Sequence, residues 1–281
     1  MNLSAEIDRN VTAALTEDVA AGDLTVQLTP DMPDAQAHVI CREDAVLCGT
    51  AWFAACVQRL DPAARLHWLA RDGERVAAGT RVCDITGSSC AILTAERSAL
   101  NFLQLLSAVA TTTRRYVDRV AGTRAAILDT RKTLPGLRVA QKYAVTVGGG
   151  RNHRMGLWDA ILIKENHIAA AGGIVPALAA AKLQKQAAWV QIEVETLAQL
   201  REAVTAGATM VLLDNMTLDD MCAAVTWTAG RAELEASGGI TLDNVRAIAE
   251  TGVDRISIGA LTKDIAAVDL SLRFAPRADT A

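Results

Sequence analysis

The stretch "VQIEVETLAQLREAVTAGATMVLLDN", residues 190–215, places two short apolar runs, VQIEV and MVLL, on either side of "TLAQLREAVTAG", which has the spacing of a helix. The unit repeats outward in both directions. "AAIL" and "AILI" come before it, "AELEA" and "RISI" after it, every twenty to thirty residues or so, with helical stretches such as "TLDNVRAIAETG" between. Near-continuous apolar strands alternating with helices are parallel strands covered on their outer face, which means a doubly wound sheet or an α/β barrel.

The polar residues choose between those two. Asp129, Thr130, Arg131 and Lys132 follow the first run, Lys164 the second, Glu193 and Glu195 lie in the third, Asp214 follows the fourth, Ser237 and Gly238 the fifth, and Gly259 the sixth. Reactive groups at the carboxyl ends of several strands meet at one mouth only if the strands curl into a ring. An open sheet would use only its switch point. Six runs are fewer than eight, so the expected ring is an incomplete or irregular barrel.

Up to about residue 90 the rhythm is different. "AHVICRED", "AVLCGTAWF" and "RLHWLARDGERVAAGTRVCDITGS" read as short strands with reversals at Asp72-Gly73 and Ala78-Gly79, a small sheet-containing domain. The turn has the look of a carrier-domain hairpin, but no lysine lies between Cys41 and Leu100 to carry a prosthetic group. Residues 91–120 read as a helix with Ile92, Ala99, Leu103, Leu106 and Val109 on one arc and Arg97, Asn101 and Gln104 on the other.

Composition bounds the function. The 281 residues carry a formal charge of -4, so there is no overall basic field for nucleic acid. The segment from Arg131 to His167 inverts that sign, with seven Arg and Lys against two acids. The six cysteines form no CxxC pair and suggest reduced thiols and a cytoplasmic setting. The amino terminus lacks the basic-then-apolar pattern of a signal peptide. The uncharged run from Ile168 to Ala181 is too short for a membrane span and is broken by Gly172, Gly173 and Pro176.

The inverted segment holds the candidate chemistry. "LDTRKTLPG" sets Arg131 and Lys132 side by side just past a buried strand, a repulsion that an anionic ligand relieves. The next helix, "LRVAQKYAVTV", carries Arg138 and Lys142 one turn apart, read as solvated, and closes at Gly148-Gly149-Gly150. "GGGRNHRMG" then offers His153 as a donor and Arg154 as a forked cation for a carboxylate. Lys164 emerges from an apolar run and either grips an anion or pairs with Glu193 or Asp214, while Asn166 is read as a helix cap that accounts for His167. Glu193 and Asp214 could meet sugar hydroxyls, a metal or a cationic transition state. "EASGGITLDN" and "ISIGALT" supply glycine-containing loops after the last two strands, where backbone N–H groups bind phosphate.

Together "ILDTRKTLPGLRVAQKYAV", "GGGRNHRMGLWDAILIKENH", "IEVET", "LLDNM", "EASGGIT" and "ISIGALT" resemble the quinolinate phosphoribosyltransferase family, from "EDVAAGDLT" near residue 17 to "DLSLRF" near 274. The resemblance implies an α/β class: an N-terminal α/β sandwich domain over 1–108, rejoined by 266–281, and an atypical, incomplete α/β barrel over 109–265. It implies a homodimer in which Arg97 enters the partner subunit's site. It implies that Arg131, Arg154 and Lys164, with the partner's Arg97, hold the two carboxylates of quinolinate, supported by Thr130, Lys132 and His153. By the same resemblance Glu193 and Asp214 meet the ribose of phosphoribosyl pyrophosphate, and Lys132, Glu193 and Asp214 stand nearest the chemistry. Ser237, Gly238, Gly239, Gly259, Ala260 and Leu261 form the 5′-phosphate cradle, and Mg²⁺ accompanies the pyrophosphate. The implied products are nicotinate mononucleotide, CO2 and pyrophosphate, in de novo NAD biosynthesis. Lys263 departs from the family pattern, which has a histidine there. The competing readings are a related phosphoribosyltransferase with another acceptor and a non-catalytic phosphate-binding barrel.

Overall fold

The computed structural model describes residues 2–275 and divides into two compact units. The first comprises the described parts of Met1–Thr112, Leu134–Gly148 and Asp264–Ala281; the second comprises Thr113–Thr133 and Gly149–Lys263.

The first unit opens with α1 (Leu3–Val19), capped by the Asn2 side chain accepting from the Ala5 N–H. There follow β1 (Ala35–Cys41), β2 (Ala45–Val46), α2 (Thr50–Leu60), β3 (Arg65–Trp68), β4 (Arg75–Val76), β5 (Arg81–Gly87) and α3 (Ser89–Arg119), which leads out of the unit. β1 alternates buried and more open positions, and β5 does so from Cys83 onward, the period-2 pattern of strands with one covered face. Phe53 of α2 meets Trp68 of β3 edge-on at 5.6 Å. On α3 the predicted arc of Ile92, Ala99, Leu103, Leu106 and Val109 is buried, and Arg97 is exposed.

The second unit holds β6 (Ala126–Leu128). α4 (Arg138–Val147), which follows it in the chain, belongs to the first unit. The second unit resumes with β7 (Ile161–Ile163), α5 (Glu165–Ala171), α6 (Ile174–Lys182), β8 (Val190–Val194), α7 (Leu197–Thr205), β9 (Met210–Asp214), α8 (Leu218–Thr228), β10 (Glu233–Ser237), α9 (Val245–Glu250), β11 (Arg255–Ser257) and α10 (Ala260–Lys263). All six predicted runs are strands, every pairing among them is parallel, and their order is β6-β11-β10-β9-β8-β7. A parallel bridge from Leu128 to Arg151 extends the sheet beyond β6, and among the described residues this barrel-like sheet has fewer than eight strands. The last strand among the described residues, β12 (Leu270–Phe274), pairs with β1, so the first unit's sheet runs β12-β1-β5-β3 and this segment returns to it.

Two expectations need correction. Lys142 is fully buried rather than solvated, on the inward side of α4 with Ala140, Gln141, Ala144 and Val145. The residue before the first turn of α5 is Lys164, not Asn166; His167 Nδ1 accepts the Lys164 N–H at 3.0 Å, so His167 closes that helix start.

Candidate active site

Strand alternation builds the site. Residues two apart on a strand point to the same side, and Leu162/Lys164, Leu212/Asp214 and Glu235/Ser237 all line one cavity of about 470 Å³. Registers level these positions: Glu193 pairs with Leu212, Leu212 with Glu235, and Asp214 with Ser237. Thr130, Arg131 and Lys132 come into the same cavity from the end of β6, His153 and Arg154 from the segment after Arg151, and Gly238 and Gly239 from the end of β10.

The cations are held in place. Arg154 is 9% exposed, and its Nη1 donates to the Ala160 carbonyl at 3.3 Å. Burial first, then the neighbouring charge of Arg131, hold the Arg154 guanidinium below its usual value, with Asp159 opposing. Asp159 itself pins the following loop, accepting from the Met155 N–H at 2.7 Å and the Gly156 N–H at 3.1 Å. The Lys132 N–H donates to Thr130 Oγ1 at 3.0 Å, and the Lys132 carbonyl accepts from the Thr262 hydroxyl at 2.8 Å. Lys164 Nζ donates to Glu193 Oε2 at 2.5 Å, so lysine and carboxylate are paired while both face the cavity.

At the other wall, Asn215 Nδ2 donates to Asp214 Oδ2 at 2.9 Å, and its backbone N–H donates to the Ser237 carbonyl at 2.9 Å. Gly238 has φ +97°, and a Cβ there would lie 2.1 Å from Asn215 Oδ1. Only glycine fits that backbone beside that amide.

His153 is buried, and both its ring nitrogens are engaged within the protein. Nδ1 accepts the Arg154 N–H at 2.8 Å, and Nε2 lies 3.0 Å from Gln191 Oε1. Its own N–H donates to Oδ1 of the fully buried Asp129 at 2.9 Å.

Of the predicted site residues, the cavity gathers Thr130, Arg131, Lys132, His153, Arg154, Lys164, Glu193, Asp214, Ser237, Gly238 and Gly239. Gly259, Ala260 and Leu261 are not in its lining. Gly259 lies against Lys132, where a Cβ would come within 2.9 Å of the lysine Cδ; Ala260 and Leu261 begin α10, and the Leu261 side chain is buried. Arg97 lines a surface hollow of the first unit with Asp18, Asp23, Leu24, Leu93 and Thr94. Lys263 is exposed at the end of α10. Asn215, Glu235 and Ser257 line the cavity without having been singled out; an acid two positions before Ser237, inside an apolar run, was the available signal for Glu235.

Among the described residues, no group of three or more His, Cys, Asp or Glu side chains is placed to hold a metal ion. Glu193 and Asp214 are two carboxylates in one cavity, a donor set that suits a cation carried mainly by substrate phosphates. No helix among the described residues is long and apolar enough to cross a membrane.

Comparison with known proteins identifies the family. The family model for the quinolinate phosphoribosyl transferase N-terminal domain matches residues 23–107, and the model for the C-terminal domain matches 109–273. A quinolinate phosphoribosyltransferase [decarboxylating] of Nicotiana glauca is 39% identical over 282 aligned positions, covering 93% of this chain and 80% of that protein. The chloroplastic nicotinate-nucleotide pyrophosphorylase [carboxylating] of Arabidopsis thaliana is equally similar, 39% identical with the same coverage. The solved structure of the nicotinate-nucleotide pyrophosphorylase from Francisella tularensis superposes with a TM-score of 0.94 at 46% identity, covering 96% of each chain. With both domain models matched in order and the strand-end cations, carboxylates and glycine loop gathered in one cavity, the chain belongs to the quinolinate phosphoribosyltransferase family.

Proposed function

We propose that this chain joins quinolinate to phosphoribosyl pyrophosphate with loss of CO2 and pyrophosphate, giving nicotinate mononucleotide for NAD biosynthesis. The observation that carries the reading is the cavity in which Arg131, Lys132, Arg154 and Lys164 face Glu193, Asp214 and the Ser237-Gly238-Gly239 turn. A dianion and a polyphosphate need concentrated cations to share a dry site.

Arg131, Arg154 and Lys164 bind the two carboxylates, with Thr130 and Lys132 beside them and His153 behind them. Glu193 and Asp214 face the ribose, where positive charge develops as the C1′–O bond breaks and pyrophosphate leaves with the electron pair. The pyridine nitrogen bonds to C1′, and the resulting pyridinium stabilises the electron pair left on the adjacent ring carbon when its carboxylate departs as CO2. That carbon then takes up a proton. Ser237, Gly238 and Gly239, with the backbone at Gly259, Ala260 and Leu261, receive the 5′-phosphate. Glu193 and Asp214 would also hold Mg²⁺ bound to the pyrophosphate, which supplies charge neutralisation.

The working form is a homodimer in which Arg97 of one protomer completes the partner's site. Exposed Leu24 and Leu28, each about four-fifths accessible, support this, since Leu24 shares the hollow that Arg97 lines. The domain boundary is placed near 108/109, supported by family models that end at 107 and begin at 109, and the return of the segment from 266 to the first domain is supported by the pairing of β12 with β1, with 276–281 lying outside the described residues. A cytoplasmic, reducing setting suits six free thiols.

Incubated with quinolinate, phosphoribosyl pyrophosphate and Mg²⁺, the pure protein yields nicotinate mononucleotide, CO2 and pyrophosphate in equal amounts. Labelled quinolinate with chromatography of the product checks it. Efficient turnover of nicotinate in its place would transfer the reading to a phosphoribosyltransferase with another acceptor.

A further inference from the structure

Beneath the cations lies a buried polar chain that the reaction as described does not use. Glu235 is fully buried on β10. Its Oε2 accepts from Gln191 Nε2 at 3.1 Å, Gln191 Oε1 lies 3.0 Å from His153 Nε2, and His153 Nδ1 accepts the Arg154 N–H at 2.8 Å.

The two ends of this chain fix its polarity independently. A backbone N–H can only donate, so His153 Nδ1 carries no proton and the neutral ring has its proton on Nε2. A carboxylate only accepts, so Gln191 must turn its amide nitrogen to Glu235 and its oxygen to His153. Reversing the amide would set oxygen against carboxylate and require both ring nitrogens to be bare, which a neutral imidazole cannot satisfy. Glu235 Oε1, which makes no hydrogen bond, stands 3.7 Å from His153 Nε2 and further favours a proton there. The Trp189 ring meets the imidazole edge-on at 5.0 Å and holds its plane.

We infer that Gln191 and Glu235 are a positioning pair: they hold His153 as its Nε2–H tautomer, so that Nδ1 anchors the backbone of Arg154 and sets that guanidinium in the anion site. The inference rests on the proposed role of Arg154. It assigns His153 to the support of the site rather than to contact with the ligand, and gives work to two residues outside the family-derived set.

The test has an arm that needs no substrate. The chain has four histidines, His38, His67, His153 and His167, and long-range ¹H–¹⁵N spectra report the tautomer of each, with His153→Asn identifying the signals. The wild type shows His153 with Nδ1 bare and Nε2 protonated. Glu235→Gln, which keeps the shape but frees the Gln191 amide to turn, gives a mixture of tautomers, and Gln191→Met leaves only the Arg154 N–H to favour a bare Nδ1, so the Nε2–H share falls there too. In both variants KM for quinolinate rises about 10- to 100-fold, the range expected when a buried donor loses its acceptor, while kcat falls less than about threefold. An Nδ1–H ring in the wild type overturns the inference, as does an unchanged His153 spectrum in the two variants. The wild-type spectrum needs no turnover and can by itself overturn the inference, while the two variants, each checked for a native fold by its amide spectrum, decide whether Gln191 and Glu235 add to the Arg154 N–H in setting the tautomer. Failure of quinolinate turnover would instead strike the proposed function and leave the tautomer result standing.

Discussion

Arg154 lies in a wall where burial and the nearby charge of Arg131 both work against its own charge, and a dianionic ligand reverses the balance. In the proposed role such a group serves binding rather than stability. Arg154→Met keeps the aliphatic stem and removes the fork, so kcat/KM for quinolinate falls by about 3 kcal/mol, roughly 150-fold, on the scale of a lost charge-assisted contact. The melting temperature changes by no more than a few degrees, because the repulsion from Arg131 leaves with the charge and offsets the lost bond to the Ala160 carbonyl. Steady-state kinetics beside a thermal melt check both halves, and a large loss of stability would mark Arg154 as structural. The cations at strand ends were legible in the sequence because adjacent like charges after an apolar run are costly without a ligand. Gln191 was not, because it acts sideways on His153 and Glu235, neighbours that only the fold reveals, and Glu235 showed only as an acid inside an apolar run with no partner in view.

The six parallel strands were readable from their apolar runs, since a strand covered by helices has no polar face to interrupt it. α3 was equally readable, because its apolar arc keeps a 3.6-residue period and becomes buried. Lys142 escaped because α4 belongs to the first unit and turns a charged side chain inward, which composition along one helix cannot show. Helix starts are local enough to test singly. The Thr196 hydroxyl caps α7 by accepting the Gln199 N–H at 3.2 Å, at an exposed position outside the cavity lining. Thr196→Val keeps the β-branched shape and removes the acceptor, costing about 1 kcal/mol. The melting temperature drops by roughly 2–4 °C with KM for both substrates unchanged. A shift in KM would show that the helix start bears on the site.

At the scale of the whole molecule, a net charge of -4 coexists with a cavity lined by four cations, so attraction of anionic substrates is local rather than global. Assembly was the least legible property. Periodicity puts Arg97 on the open side of α3 and says nothing of what covers it; the partner role comes from family resemblance alone. The proposed shared site has a consequence that no single-subunit arrangement reproduces. Arg97→Ala and Arg154→Ala each cripple every site of their own homodimers, one by withdrawing the arginine lent to the partner, the other by emptying the receiving wall. In a mixed dimer one site carries both defects and the other carries neither, so equimolar mixing after subunit exchange restores about a quarter of wild-type activity, half the dimers being mixed and each having one intact site of two. Native mass spectrometry of differently tagged chains verifies the exchange. Mixed dimers without recovered turnover would mean that Arg97 serves its own subunit or none.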